Sequence, residues 1–158
     1  MNNLAGVTYT SAQGRQQLLD TLAGATDEIG YALVSLGEVY ELLDEHTADT
    51  LEQELFLPVQ MAYGRAQRTH AEFAARHDLP PRVFERASPG APSHGVRGLL
   101  DSALDAVGRA DGALAELQDS MLPIEVGDAE LRAGLEEVRR LLGDLRGRAR
   151  ELVRTLGR

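Results

Sequence analysis

LLDTLAGATDEIGYALVSLGEVYELL, residues 18–43, carries the pattern that decides the fold. Its apolar positions Leu18, Leu22, Ala25, Ile29, Ala32, Leu36, Val39 and Leu43 are separated by alternating steps of four and three. That spacing draws one narrow stripe along a helix and winds neighbouring helices around each other with a left-handed twist. A strand alternates every second residue and cannot produce it. The pattern recurs at Val96, Leu100, Ala103, Val107, Ala110, Leu114, Leu117 and Met121. A third copy runs through Leu131, Leu135, Val138, Leu142, Leu145, Ala149, Leu152 and Leu156. A weaker one links Leu55, Val59, Ala62, Ala66, Thr69 and Phe73.

These stripes predict four helices over roughly 11–46, 49–77, 94–121 and 128–156, with a long loop at 78–93, in one domain spanning 1–158. The expected fold class is all-α: an antiparallel up-down-up-down four-helix bundle with coiled-coil-like heptad packing, since short links at 46–49 and 122–127 favour antiparallel neighbours. A pair of helical hairpins completed by a second chain is the other arrangement the pattern allows. Ser11 can cap the first helix, Asp49-Thr-Leu-Glu52 has the form of a capping box for the second, and Asp128 after Gly127 suits the start of the fourth. Pro58 either kinks the second helix by removing the bond to the Glu54 carbonyl or marks the start of its main part. Ala23, Gly30 and Gly37, seven apart beside the first seam, are small enough to let a neighbouring helix come close. Four of the six prolines fall in the long loop, which is expected to cover the bundle end, cross between partners or stay mobile.

Composition excludes several kinds of chemistry. Among 158 residues there is no Cys, so disulfides, thiolate metal sites and a cysteine nucleophile are ruled out. Aromatic residues make up 4% and Trp is absent, which leaves Leu, Ala and Val to build the core. Every one of the 16 basic residues is Arg. No signal peptide and no uncharged run of membrane-spanning length is visible, so a cytoplasmic location without membrane contact is expected. A net charge of −9 and the lack of a basic stripe interleaved with aromatics argue against nucleic acid as a partner.

Threaded onto an up-down-up-down bundle, the charges separate. Residues 36–56 and 112–136 hold thirteen carboxylates and one Arg, and would share one pole. Residues 11–24, 68–101 and 146–158 hold eleven Arg and six acids, and would share the other with His70, His77 and His94. Pairing between acidic and basic helix faces accounts for such a pattern. An anion-binding basic pole is the functional alternative.

SHGVRGLL, residues 93–100, resembles the dimerisation box of histidine kinases at Ser93, His94, Arg97 and Leu100. At His94, Val96, Arg97 and Gly98 it is also similar to the motif of histidine phosphotransfer domains. The resemblance implies a phosphoacceptor histidine, but in both families that histidine lies within a helix. Here Pro89, Gly90 and Pro92 precede His94 closely, so the stretch reads as a helix start capped by Ser93. Ser93, His94 and Arg97 remain an anion-binding candidate, because free N–H groups of a helix N-terminus suit a phosphate-like group.

The Glu-x-x-His pairs of di-iron bundles are missing. His70 and His77 align with Phe56 and Tyr63 on one face, about 10.5 Å apart, too far to share a metal unaided and expected as partly exposed residues of the bundle end. Glu38, Glu41 and Glu45 form an acidic ridge, a candidate divalent-metal site with Asp119 or Glu125. All-α nucleotide pyrophosphohydrolases use paired ridges of this kind, whereas Glu38-Val-Tyr-Glu41 stands alone. No P-loop, G-x-S-x-G or G-x-G-x-x-G occurs, so catalysis has no positive support and no cofactor is expected.

Surplus apolar residues remain. Val34, Leu42, Leu51, Phe56 and Leu57 lie off the seams or crowd the start of the second helix, and contiguous apolar surface marks an interface. The sequence therefore predicts a non-enzymatic helical protein that acts through homo-oligomerisation or protein–protein interaction, most simply as a two-fold homodimer. The alternative is small-ligand binding at a bundle pole, of a phosphate-like anion or a divalent metal.

Overall fold

The computed structural model describes residues 3–85 and 95–156, with side chains from residue 12 onward. The chain is all-helical across these residues. It comprises α1 (Asn3–Leu42), α2 (Glu45–Leu51), a π-helical stretch (Glu52–Phe56), α3 (Leu57–Arg76), α4 (Gly95–Asp119), α5 (Leu122–Val126), α6 (Ala129–Leu142) and α7 (Leu145–Leu156). α2, the π stretch and α3 follow one another without a break and form the second rod, while α6 and α7 together form the last.

The seams face inward as their spacing requires. Leu18, Leu22, Ala25, Ile29, Ala32, Leu36 and Val39 of α1 are buried, as are Leu100, Ala103, Val107, Ala110, Leu114 and Leu117 of α4. Leu131, Leu135, Val138, Leu142, Leu145, Ala149 and Leu152 are buried along α6 and α7. The weaker stripe holds too, with Leu55, Val59, Ala62, Ala66, Thr69 and Phe73 all buried. Met121 departs from its seam: α4 ends at Asp119, and Met121 turns into the left-handed region with φ 71° and stands half exposed.

Several helix ends correct the expected boundaries. α1 runs through Ser11 from Asn3, so Ser11 is not its cap. Asp44, not Asp49, caps α2, its Oδ1 accepting from the Thr47 N–H at 3.0 Å. Asp128 caps α6 as its position suggested, accepting from the Leu131 N–H at 2.9 Å. The fourth helix is split at Gly143-Asp144, where Asp144 has φ 64°, yet Leu142 and Leu145 both stay in the core and the seam keeps its phase across the break.

Pro58 enters at the start of α3, directly after the π stretch, in which the Leu57 N–H reaches the Glu52 carbonyl five residues back. Lacking an N–H, Pro58 cannot donate to the Glu54 carbonyl. Arg148 of α7 donates to that oxygen instead, Nη1 to O at 3.3 Å.

Directions follow from contacts at separated points. A methyl group on Gly14 would lie 3.2 Å from Leu122, and Glu28 pairs with Arg109 at 3.0 Å, so α1 and α4 run in opposite senses. α1 also opposes α3, because Gly30 meets Tyr63 while Gly37 and Phe56 line one cleft. Arg76 with Asp128 and Arg148 with Glu54 set α3 against α6–α7. Asp111 with Arg139 and Asp105 with Arg146 do the same for α4.

The second and third rods therefore point the same way, and the order is up-down-down-up, not up-down-up-down. α4 spans about 37 Å at 1.5 Å per residue, and eighteen residues from 77 to 94 reach that far with ease when extended. Leu79–Glu85 begins the return, with Arg82 bonded to Asp27 of α1 at 2.8 Å.

This order also dissolves the expected charge dipole. The acids of 36–56 share an end with the arginines of α7, and those following α4 share the other with Arg76. Opposite charges are interleaved at both poles, and the exposed pairs contribute about 0–1 kcal/mol each.

Candidate functional site

The groove between α1 and α3 is built from two matched rows. On α1, Ala23, Gly30 and Gly37 recur every seven residues; on the π stretch and α3, Phe56, Tyr63 and His70 do the same. Tyr63 lies over Gly30 so closely that a methyl group there would stand 3.0 Å from its ring. Gly37 differs, having no side chain within reach of an added methyl group. That gap opens a cleft of about 300 Å³ lined by Gly37, Tyr40, Glu41, Glu52 and Phe56. Phe56 is half-buried against the core, and Tyr40 is exposed at the rim.

At the other end of the groove, His70 is only 2% exposed, which corrects the expectation of a partly exposed residue. The reason is the returning segment: the Phe84 ring stands perpendicular to the imidazole with centroids 5.1 Å apart, and Arg82 lies over Phe84 at 4.9 Å. Nδ1 of His70 has no hydrogen-bond partner among the described residues. Burial, aided by the Arg82 charge, lowers its pKa below 6.5, against the opposing pull of Asp20 and Asp27. Its surroundings thus favour the neutral ring.

His77 belongs to a separate network. Its Nε2 lies 2.9 Å from Asp128 Oδ2, while Nε and Nη2 of Arg76 each reach that carboxylate at 2.9 Å. Burial by itself would raise the Asp128 pKa; the Arg76 guanidinium, the Leu131 N–H and His77 outweigh it and bring it down to about 2. With one carboxylate capping a helix and tying two rods together, the network has a structural role.

The remaining predicted residues are scattered. Val34, Phe56 and Leu57 are half-buried, and Leu42 is 56% exposed. Leu51 is completely buried, so it belongs to the core and not to the apolar surface; the inner side of α2 packs against the π stretch and α7. Glu41 and Glu45 are exposed and Glu38 half-buried, and no group of three His, Asp or Glu side chains that could hold a metal exists among the described residues. Asp119 and Glu125 lie at the far end from this ridge, separated from it by the chain order. Arg97 is exposed in the first turn of α4, while Ser93 and His94 lie outside the described residues. No helix among the described residues is long and apolar enough to cross a membrane.

Sequence reading overlooked the cleft at Gly37, although its signal was present in the row of small residues facing aromatics at equal spacing. It also missed Gly134, where an added methyl group would overlap the Thr69 hydroxyl and stand 2.6 Å from its Cγ2. No family model, curated protein or solved structure matches this chain.

Proposed function

We propose that this chain is a four-helix bundle with coiled-coil-like packing that works in the cytoplasm without catalysis, by associating with a second copy through its α1–α3 face. The interface consists of Val34, Leu42, Phe56 and Leu57, with Tyr40 at the rim of the cleft. The observation that carries this reading is the open cleft beside Gly37, next to apolar side chains that the monomer leaves in water: Leu42 at 56% and Tyr40 at 37% exposure. Exposed apolar area of this kind marks association surfaces. A two-fold arrangement uses the same face on both chains and closes without leaving it free.

Sedimentation velocity from micromolar to millimolar concentration tests the proposal. The expected result is a concentration-dependent dimer that Phe56→Glu and Leu42→Glu abolish while the circular dichroism spectrum stays helical. A monomer throughout the range overturns it.

A further inference from the structure

We infer that residues 79–85 form a proton-released strap, shut over a neutral His70 and lifted from α1 and α3 when that imidazole takes up a proton. The strap lies at the far end of the α1–α3 groove from the Gly37 cleft, and the inference does not depend on self-association.

The strap is held at three points. Leu79 packs against the core just past the end of α3. Arg82 reaches Asp27 of α1 at 2.8 Å, and the Phe84 ring stands perpendicular to that of His70 with centroids 5.1 Å apart. Between these last two, Val83 is 86% exposed, so the segment runs along the surface. No backbone hydrogen bond among the described residues ties 80–85 to the helices. The Arg82–Asp27 pair is itself about half exposed, and pairs of that kind hold weakly. Residues 82–84 can therefore lift while the bundle beneath stays intact.

A proton is coupled to this motion because the groups that oppose it leave with the strap and the groups that favour it stay behind. A charged imidazole must place two N–H groups on acceptors. Nδ1 has none among the described residues, and the ring is shut away from water. Phe84 belongs to the cover that excludes water, and Arg82 adds a like charge; both sit on the strap. Asp20 and Asp27, which draw a proton to the ring, sit on α1, and release also frees Asp27 from Arg82. Among the described residues, α3 and α6 add no charged group that bears on the ring. The open form thus binds the proton more tightly than the shut form, and by linkage the proton favours opening to the same extent. The shut form is fully favoured above about 6.5 and loses ground as the pH falls below it, by about tenfold at most per pH unit for one proton.

The experiment is NMR on the full chain between pH 7.5 and 5.5. Relaxation dispersion of the Phe84 ring signals measures the population of the open form, and the His70 ring shifts give its titration midpoint. The expected result is an open population that grows severalfold on acidification, while the cross-peak between Thr69 and Gly134, which reports the α3–α6 contact, persists. Phe84→Ala and Arg82→Gln each raise the His70 midpoint towards 6.5, and His70→Phe leaves the open population the same at both pH values. An open population that does not change with pH overturns the inference, as does one that still changes in His70→Phe. A His70 midpoint that neither segment variant moves overturns it as well. So does loss of the Thr69–Gly134 cross-peak together with the strap, since the whole bundle would then be opening. If His70→Phe fails to fold, the pH series of the unaltered chain and the two midpoints still decide.

Discussion

Arg76, in the last turn of α3, grips Asp128, the residue that caps α6, through Nε and Nη2 at 2.9 Å each. One carboxylate thus starts a helix and fixes which end of α3 it starts beside. Asp128→Ala is expected to cost about 3 kcal/mol, combining a lost cap with a broken pair whose acidic side is largely buried. Asp128→Asn keeps much of the cap and costs less. Urea denaturation at neutral pH measures both. The same pair sets the acid limit: with the Asp128 pKa lowered to about 2 from 3.8, its stabilisation is complete above 3.8. About 2 kcal/mol is lost as the pH falls from there through 2. The Asn variant should show a flatter acid transition.

His70 gives a second pH dependence in a different window. Its folded-state pKa lies below 6.5, so the unfolded chain takes up a proton first as the pH drops. Stability therefore declines as the pH falls below about 6.5 and levels off below the folded-state value. The charged groups that bear on it are Asp20 and Asp27 from α1 and Arg82 from the returning segment. His70→Phe should remove this slope, seen by comparing melting temperatures at pH 7.5 and 5.5, and NMR should find the His70 ring titrating below 6.5.

Glycines separate close contacts from open surface. Gly134→Ala forces a methyl group into Thr69 where α6 crosses α3, and is expected to cost about 1–3 kcal/mol. Adding Thr69→Ala should recover a large part of that, as a double-mutant cycle would show. Gly24 and Gly112 have no neighbour near an added methyl group, so their change to Ala should raise stability by up to about 1 kcal/mol each.

Leu51 and Leu42 test the division between core and surface. Leu51→Ala removes a fully buried side chain and should destabilise by about 2–5 kcal/mol. Leu42→Ala should leave the stability of the monomer within about 0.5 kcal/mol and weaken only self-association. Thermal melts at low and high protein concentration distinguish the two effects.

The sequence alone determined that the chain is helical and which side of each rod turns inward. Four apolar stripes specified the helices, and Asp128 announced the start of α6, because spacing and capping are properties of a few neighbouring residues. Only the tertiary structure decided which helices touch and in which direction they run. A heptad stripe offers the same apolar edge to a parallel or an antiparallel neighbour, and the loop from 77 to 94 is long enough for either route. From that single choice follow the pairing of Arg76 with Asp128, the interleaving of charge at both ends, and the burial of His70 beneath Phe84. The contact of Thr69 with Gly134 follows as well. Each depends on residues brought together across the fold, where no local rule reaches.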